Sequence, residues 1–397
     1  MSPIRMAIVA AAVSGVSFLI HGYLWLRLVR APAWPAPWGR LLTLVAVLFA
    51  ALVPLAFLAM RWADRSVSAP MAWVAYVWLG FAVYLLLLTA TADVARGLAA
   101  LGGVLPTNPE RRITLWRLLT AAIAAGAAVI GAGGIVNVAR GFEVRRVRVP
   151  LAKLPSWASG YTIVQLTDIH VGPTIGRAYL ERIVRETNAL APDLIVITGD
   201  LVDGTVAQLE RLVEPLGALR AVDGVFFVTG NHEYYSGADD WIAHLGTLGV
   251  RVLRNERVAV RGAFDLAGVD DASAARMLPH HGQDVAKALV GRDPSRAVVL
   301  LAHQPKALPD ALRGGVDLQL SGHVHGGQMI PFNWLARLDQ PLIAGLHRIK
   351  STWVYVSMGT GYWGPPMRVG TTAELTHIVL VSGDDPSGQR PTPVRDG

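Results

Sequence analysis

Four long apolar runs occupy the first part of the chain: Met6 to Trp25, Leu41 to Met60, Pro70 to Ala92 and Leu118 to Ala139. None contains Asp, Glu, Lys or Arg. As a helix, each is long enough to cross a hydrocarbon core of ~30 Å. A cleaved leader would account for the first run alone, and its apolar stretch would be shorter. Trp34, Trp38, Trp62, Trp73 and Trp116 lie at or near the ends of the runs, where an aromatic belt is expected. The connector Ala31 to Pro37 is proline-rich and stiff. His21 and Asn137, each near the end of a run, read as packing or interface groups.

The pattern changes after Arg140. Phe142 to Pro155 alternates apolar and basic residues and reads as an edge strand or linker. From Tyr161 a short β-rich run, a polar loop and a helix follow one another repeatedly. Strands are predicted at Tyr161–Leu166, Leu194–Thr198, Val225–Val228, Val250–Leu253 and Phe264–Gly268. Further strands are predicted at Ala297–Ala302, Val316–Leu320, Trp353–Val356 and Leu375–Val381, with helices at Ile175–Leu190 and Val206–Leu219. That alternation predicts an α/β (α+β) domain with covered sheets. The expected division is an all-α transmembrane bundle of four helices over 1–140, a linker or edge strand over 141–160 and the α/β domain over 161–382. Residues 383–397, rich in Asp, Pro, Ser and Gly, are expected to be a disordered tail.

Composition sharpens this division. The 397 residues are 52% hydrophobic and 16% charged, and mean hydropathy is +0.40. That is too apolar for an ordinary soluble chain. The excess sits in the first 140 residues, whose only acids are Asp64, Asp93 and Glu110 and which have no lysine. There is no cysteine, so disulfides and thiolate metal sites are excluded. The net charge of +7 is carried mostly by arginine. A nucleic-acid partner would explain a basic chain, but Arg27, Arg30, Arg40, Arg61, Arg111 and Arg112 flank the apolar runs, and nucleic acid is not expected. Arg27, Arg30, Arg40, Arg96, Arg111 and Arg112 outweigh Arg5, Arg61 and Arg65 on the opposite side, which puts the α/β domain outside the cytoplasm. Arg140, Arg145, Arg146 and Arg148 argue the other way. Arg111-Arg112-Ile113-Thr114-Leu115 reads either as an embedded twin-arginine signal or as two ordinary membrane-flanking arginines.

Five strand exits carry candidate chemistry: Asp168-Ile169-His170, Gly199-Asp200-Leu201-Val202-Asp203, Gly230-Asn231-His232-Glu233, His303, and Gly322-His323-Val324-His325-Gly326-Gly327-Gln328. Ligands of α/β sheets bind at C-terminal strand ends. In extended backbone, residues two apart point the same way, so His323 and His325 can reach one spot. Taken singly, each block has an ordinary reading: turn or cap residues at Asp168, Asp200 and Asn231, and a hydrogen-bonded strand-end histidine at His303. Their order and their shared position after β-runs are not coincidence. Oxygen and imidazole donors without thiolates suit Mn, Fe, Zn or Mg-type ions. There are donors enough for two ions sharing a carboxylate, and two ions ~3.5–4 Å apart can clamp an in-line displacement at phosphorus. His280-His281 reads as part of a solvated polar loop, and His244, His347 and His377 as surface or packing groups. There is neither a Gly-x-Ser-x-Gly nor a P-loop.

The ordered blocks Asp-x-His, Gly-Asp-x-x-Asp, Gly-Asn-His-Glu, a lone His and Gly-His-x-His resemble the calcineurin-like metallophosphoesterase superfamily, over roughly Tyr161 to Val381. The longer strings Gly230 to Tyr235 and Leu320 to Gln328 look like its bacterial membrane-associated branch, whose members carry transmembrane or twin-arginine N-termini. Val324 stands where that branch usually has threonine, and Ala373-Glu374 where it often has Pro-Glu. The resemblance implies two packed mixed β-sheets flanked by helices, and two divalent metal ions (Mn, Fe or Zn). Asp168, His170 and His325 would hold one ion, Asp200 would bridge, and Asn231, His303 and His323 would hold the other. His232 and Asp200 would be the catalytic groups, with Asp203 and Glu233 as fixing groups. The implied activity is a membrane-anchored phosphoesterase that hydrolyses a phosphodiester or pyrophosphate, which could be lipid-linked, by in-line attack of a metal-bridging hydroxide. The rivals are a nuclease of the same superfamily and a non-catalytic tethered module. The expected setting is a bacterial-type inner membrane, with the lipid bilayer as partner and the catalytic domain extracytoplasmic.

Overall fold

The computed structural model describes residues 3–383, so the expected tail lies almost entirely outside the described residues. Two compact units are present. The first holds four helices: α1 (Pro3–Leu24, running on through wider π-type turns Trp25–Arg30), α2 (Ala36–Trp62), α3 (Arg65–Leu101) and α4 (Pro109–Arg140). All four are long and apolar enough to cross a membrane. The 37 residues of α3 would measure about 55 Å. Its polar flanks therefore extend the helix beyond the apolar run, because backbone hydrogen bonding does not stop where hydropathy does.

His21 is buried in this unit and uses both ring nitrogens. Nδ1 donates to the Ser17 carbonyl at 2.8 Å, and Nε2 accepts from the Trp78 indole at 2.7 Å. The imidazole thus ties α1 to α3, as its reading as a packing group requires. Asp93 is held by Arg27 at 2.8 Å and by the Tyr23 hydroxyl at 2.8 Å. Residues 364–369, far along the chain, belong to this unit too. Asn137 Nδ2 donates to the Arg368 carbonyl at 2.9 Å.

The second unit contains the strands and the shorter helices. In chain order these are β1 (Phe142–Leu151), β2 (Thr162–Leu166), α5 (Arg177–Ala189), β3 (Leu194–Ile197), α6 (Val206–Val213), β4 (Val225–Phe227), α7 (Asn231–Ser236), α8 (Ala238–Thr247) and β5 (Val250–Val252). They continue with β6 (Glu256–Val260), β7 (Phe264–Gly268), α9 (Ala274–Met277), α10 (Val285–Ala288), β8 (Ala297–Leu301), α11 (Leu308–Arg313), β9 (Leu318–Ser321), α12 (Phe332–Asp339), β10 (Gly345–Ile349), β11 (Thr352–Val356) and β12 (Ala373–Ser382). They form two six-stranded sheets, ordered β1-β12-β2-β3-β4-β5 and β10-β11-β9-β8-β7-β6.

The inner faces of both sheets supply one apolar core, including Ile163, Val196, Phe226, Phe264, Leu301, Leu320 and Tyr355. Outside the first sheet, α5, α6 and α8 cover a second layer around Ile195, Ile197 and Phe227. Outside the second sheet, α10 and α11 cover a third around Val298 and Leu300. Central strands buried on both faces read as continuous apolar runs, which is why β3 and β8 stood out in the sequence. β1 is an edge strand, parallel to β12 along its whole length.

Candidate metal centre

β2, β3 and β4 run parallel in one sheet, and β8 and β9 run parallel in the other. Their C-terminal ends deliver the polar blocks. β2 is followed by Asp168 and His170, β3 by Asp200, β4 by Asn231 and His232, β8 by His303, and β9 by His323 and His325. Asp168, His170, Asp200, His323 and His325 all have left-handed backbone, with φ of 52°, 55°, 52°, 73° and 53°. Non-glycine residues rarely adopt this region, and concentrations of such outliers mark sites whose geometry the surrounding fold imposes.

The side chains converge in two linked groups. In the first, His170 Nε2 lies 3.1 Å from His325 Nε2, which is 3.4 Å from Asp168 Oδ1. In the second, His303 Nε2 lies 3.2 Å from Asp200 Oδ2, from Asn231 Oδ1 and from His323 Nδ1. Asp200 Oδ2 is also 3.9 Å from His170 Nε2, which places this carboxylate between the groups. Every expected ligand is thus brought to one place. Val324, between the two histidines, turns away and packs with Leu308, Val354 and Val356.

Surrounding groups set the tautomers and hold the carboxylates. His170 Nδ1 donates to Asp203 Oδ1 at 3.0 Å, and His303 Nδ1 donates to the Thr198 carbonyl at 2.7 Å, so each turns Nε2 inward. Asp168 accepts the backbone N–H of His323 at 2.9 Å and the Thr167 hydroxyl at 2.7 Å. Asp200 Oδ1 accepts the backbone N–H of His232 at 2.9 Å. Glu233 is fully buried and accepts backbone N–H groups from Gly230, Leu201 and Asp200 at 2.6, 2.8 and 3.0 Å. Burial, with Asp200 nearby, pushes its carboxyl up to about 8.

His232 sits at the rim. Its Nδ1 donates to Asp203 Oδ1 at 2.5 Å, and its ring meets Tyr235 and Trp363 edge-on at centroid distances of 5.3 and 5.7 Å. Burial opposes its charge, but Asp200 and Asp203 outweigh burial and push it up to about 9. Trp363 was not singled out in the sequence, because nothing local to it signals proximity to His232. One expectation is corrected. His281 is not in a solvated loop but buried, bonded through Nδ1 to the Tyr234 hydroxyl at 3.0 Å and through Nε2 to Asp239 at 2.9 Å.

The donor set fits divalent cations. Imidazole Nε2 atoms facing each other at 3.1 Å, each with a neighbouring carboxylate, have the separation of two ligands on one ion. With the Nδ1 proton of His170 committed to Asp203, its Nε2 offers a lone pair.

Residues 161–327 match the family model of the calcineurin-like phosphoesterases. A zebrafish (Danio rerio) transmembrane protein with metallophosphoesterase domain is 38% identical over 389 residues, covering 92% of this chain and 87% of the relative. Its cattle (Bos taurus) counterpart is 38% identical over 395 residues, covering 94% and 88%. The chain belongs to the calcineurin-like metallophosphoesterases. An uncharacterized Helicobacter pylori metallophosphoesterase is 40% identical over 221 residues, which is 55% of this chain and 59% of the relative. This metallophosphoesterase is a metal-dependent phosphoester hydrolase and, with its four apolar helices, an integral membrane protein.

Proposed function

We propose that the centre holds two divalent ions of the Mn, Fe or Zn type and hydrolyses a phosphodiester or pyrophosphate on a lipid-linked substrate. Asp168, His170 and His325 would hold the first ion, and Asn231, His303 and His323 the second, with Asp200 shared. The observation that carries this reading is the position of Asp200 Oδ2, 3.2 Å from His303 Nε2 and 3.9 Å from His170 Nε2, one in each group. When bound, such ions supply an activated water and neutralise charge at phosphorus.

The chain's own residues do the rest. Asp203 holds His170 and His232 by their Nδ1 atoms and so leaves both Nε2 atoms facing the centre. His232 Nε2 would stabilise charge on the phosphoryl oxygens and pass its proton to the leaving oxygen as the P–O bond breaks. Glu233 keeps the turns that carry Asp200 and Asn231 in register through its three backbone bonds.

An apolar rim supports the lipid-linked substrate. Tyr235 and Trp363, beside His232, are 62% and 53% exposed. On α12, Phe332, Trp334, Leu335 and Leu338 are all exposed and no residue is buried. Exposed tryptophan and leucine on a membrane-tethered domain suit an interface between water and acyl chains. We further propose the division 1–140, 141–160, 161–382 and 383–397, and an extracytoplasmic catalytic domain in a bacterial-type plasma membrane.

The test uses full-length protein in detergent micelles, with a polyprenyl or diacylglycerol pyrophosphate ester compared with bis-p-nitrophenyl phosphate. A kcat/KM at least about tenfold higher for the lipid ester supports the assignment, whereas equal values oppose it. Protease digestion of intact spheroplasts should remove the catalytic domain; full protection would place it in the cytoplasm.

A further inference from the structure

The corner between α7 and α8 carries a second cluster of metal-type donors outside the centre described above. Asp239, in the first turn of α8, faces two consecutive histidines from the loop after α9. Its Oδ1 lies 2.9 Å from His281 Nε2, and its Oδ2 lies 3.4 Å from His280 Nε2. One donor atom from each residue falls within 4.8 Å of the other two. The two imidazoles stand nearly perpendicular, at 79°, with centroids 4.5 Å apart.

We infer that Asp239, His280 and His281 form a separate binding site for a single divalent cation of the zinc class. Tetrahedral zinc takes imidazole nitrogen and carboxylate oxygen at ~2.0–2.2 Å, so its ligand atoms sit about 3.3 Å apart. Each imidazole nitrogen stands near that separation from one Asp239 oxygen, His281 Nε2 at 2.9 Å from Oδ1 and His280 Nε2 at 3.4 Å from Oδ2, and a single ligand atom from each residue stays within 4.8 Å of the other two. Two imidazoles and a carboxylate leave one position for water, and the site faces solvent there: the His280 and Asp239 side chains are 64% and 58% exposed.

His281 is the anchored ligand. Its side chain is fully buried, and the Tyr234 hydroxyl occupies its Nδ1 at 3.0 Å while itself contacting Thr229 Oγ1 at 3.2 Å. Fixing one ring nitrogen in this way orients the other toward a metal. The nearby carboxylate Asp270 is already paired with Arg254 at 2.8 Å, so it does not compete for the ion. The exposed His280 gains little as a free surface side chain by turning Nε2 toward Asp239, but it gains a ligand bond if a cation sits between them. An ion there would fasten the 270–281 loop to the helical corner whose first residues are Asn231 and His232.

Full-length protein, stripped with chelator and re-equilibrated with Zn²⁺, tests this by bound-metal stoichiometry. The wild type is compared with Asp239→Asn and His280→Ala, both exposed positions whose replacement leaves the core intact. Each variant should bind one equivalent fewer than the wild type. The same difference of one should appear in an Asp200→Asn background, so the result does not depend on how the main centre is occupied. Added Zn²⁺ should raise Tm less in His280→Ala than in the wild type. Equal stoichiometry and equal Tm response in all three chains would overturn the site and leave Asp239 and His281 as a hydrogen-bonded pair only.

Discussion

Asp203 Oδ1 accepts the Nδ1 proton of His170 at 3.0 Å, and that single bond decides which nitrogen His170 presents to His325. The same oxygen holds His232 at 2.5 Å. Replacing Asp203 by Ala removes both constraints without removing a proposed ligand. Metal affinity should fall about 10–100-fold, as is usual when the group that orients a ligating histidine is lost. Competition with a metallochromic chelator measures it, and unchanged affinity would show that His170 is oriented by other contacts.

Glu233 makes a different prediction. Its buried carboxyl group accepts three backbone N–H groups from two separate turns. Glu233→Ala strands those donors, and each buried unsatisfied group costs about 1–3 kcal/mol. Chemical denaturation should show a loss of at least ~2 kcal/mol, with activity falling as the Asp200 turn loosens. A variant of wild-type stability would mean that water replaces the carboxylate.

Gly230 and Gly322 have no room for a side chain. A methyl at Gly230 would collide with the Asp200 carboxylate, and one at Gly322 with the Asp168 carboxylate and the Thr167 hydroxyl. Both contacts sit directly behind proposed ligands, so Gly230→Ala and Gly322→Ala should fold yet lose about 10²-fold in kcat/KM, the scale of an ångström-level misplacement. Circular dichroism alongside kinetics separates this outcome from simple unfolding.

Much of this was legible in the sequence because the chemistry sits where strands end. An apolar run followed by Asp-x-His declares both the strand and the donor, and the doubly buried β3 and β8 declare themselves by continuous hydrophobicity. Less regular strands did not: β6 (Glu256–Val260) and β10 (Gly345–Ile349) are the outermost strands of their sheet and carry mixed polar residues. The left-handed backbone at Asp168, His170, Asp200, His323 and His325 left no trace either, since nothing in Asp or His demands it and the fold imposes it. The burial of His281 leaves no local signal, because its contacts are Tyr234 and Asp239, residues more than 40 positions away.

Trp363 stands beside His232 with its backbone tied to Gln328 at both ends: the Trp363 N–H donates to Oε1 at 2.9 Å, and Nε2 donates to the Trp363 carbonyl at 2.8 Å. Trp363→Ala should raise KM for a lipid-linked ester about tenfold while leaving kcat on a small soluble diester within about twofold, because the lost contact serves binding rather than chemistry. Equal losses on both substrates would instead make Trp363 a support for His232.

The central claim is metal-dependent phosphoester hydrolysis built around Asp200. Full-length protein should be stripped of metal, assayed on bis-p-nitrophenyl phosphate and assayed again after Mn²⁺ is restored, with Asp200→Asn treated identically. Turnover should be absent from the stripped protein, return with Mn²⁺, and fall by at least about 10²-fold in Asp200→Asn. Turnover that survives metal removal, or that is equal in the two chains, would contradict it.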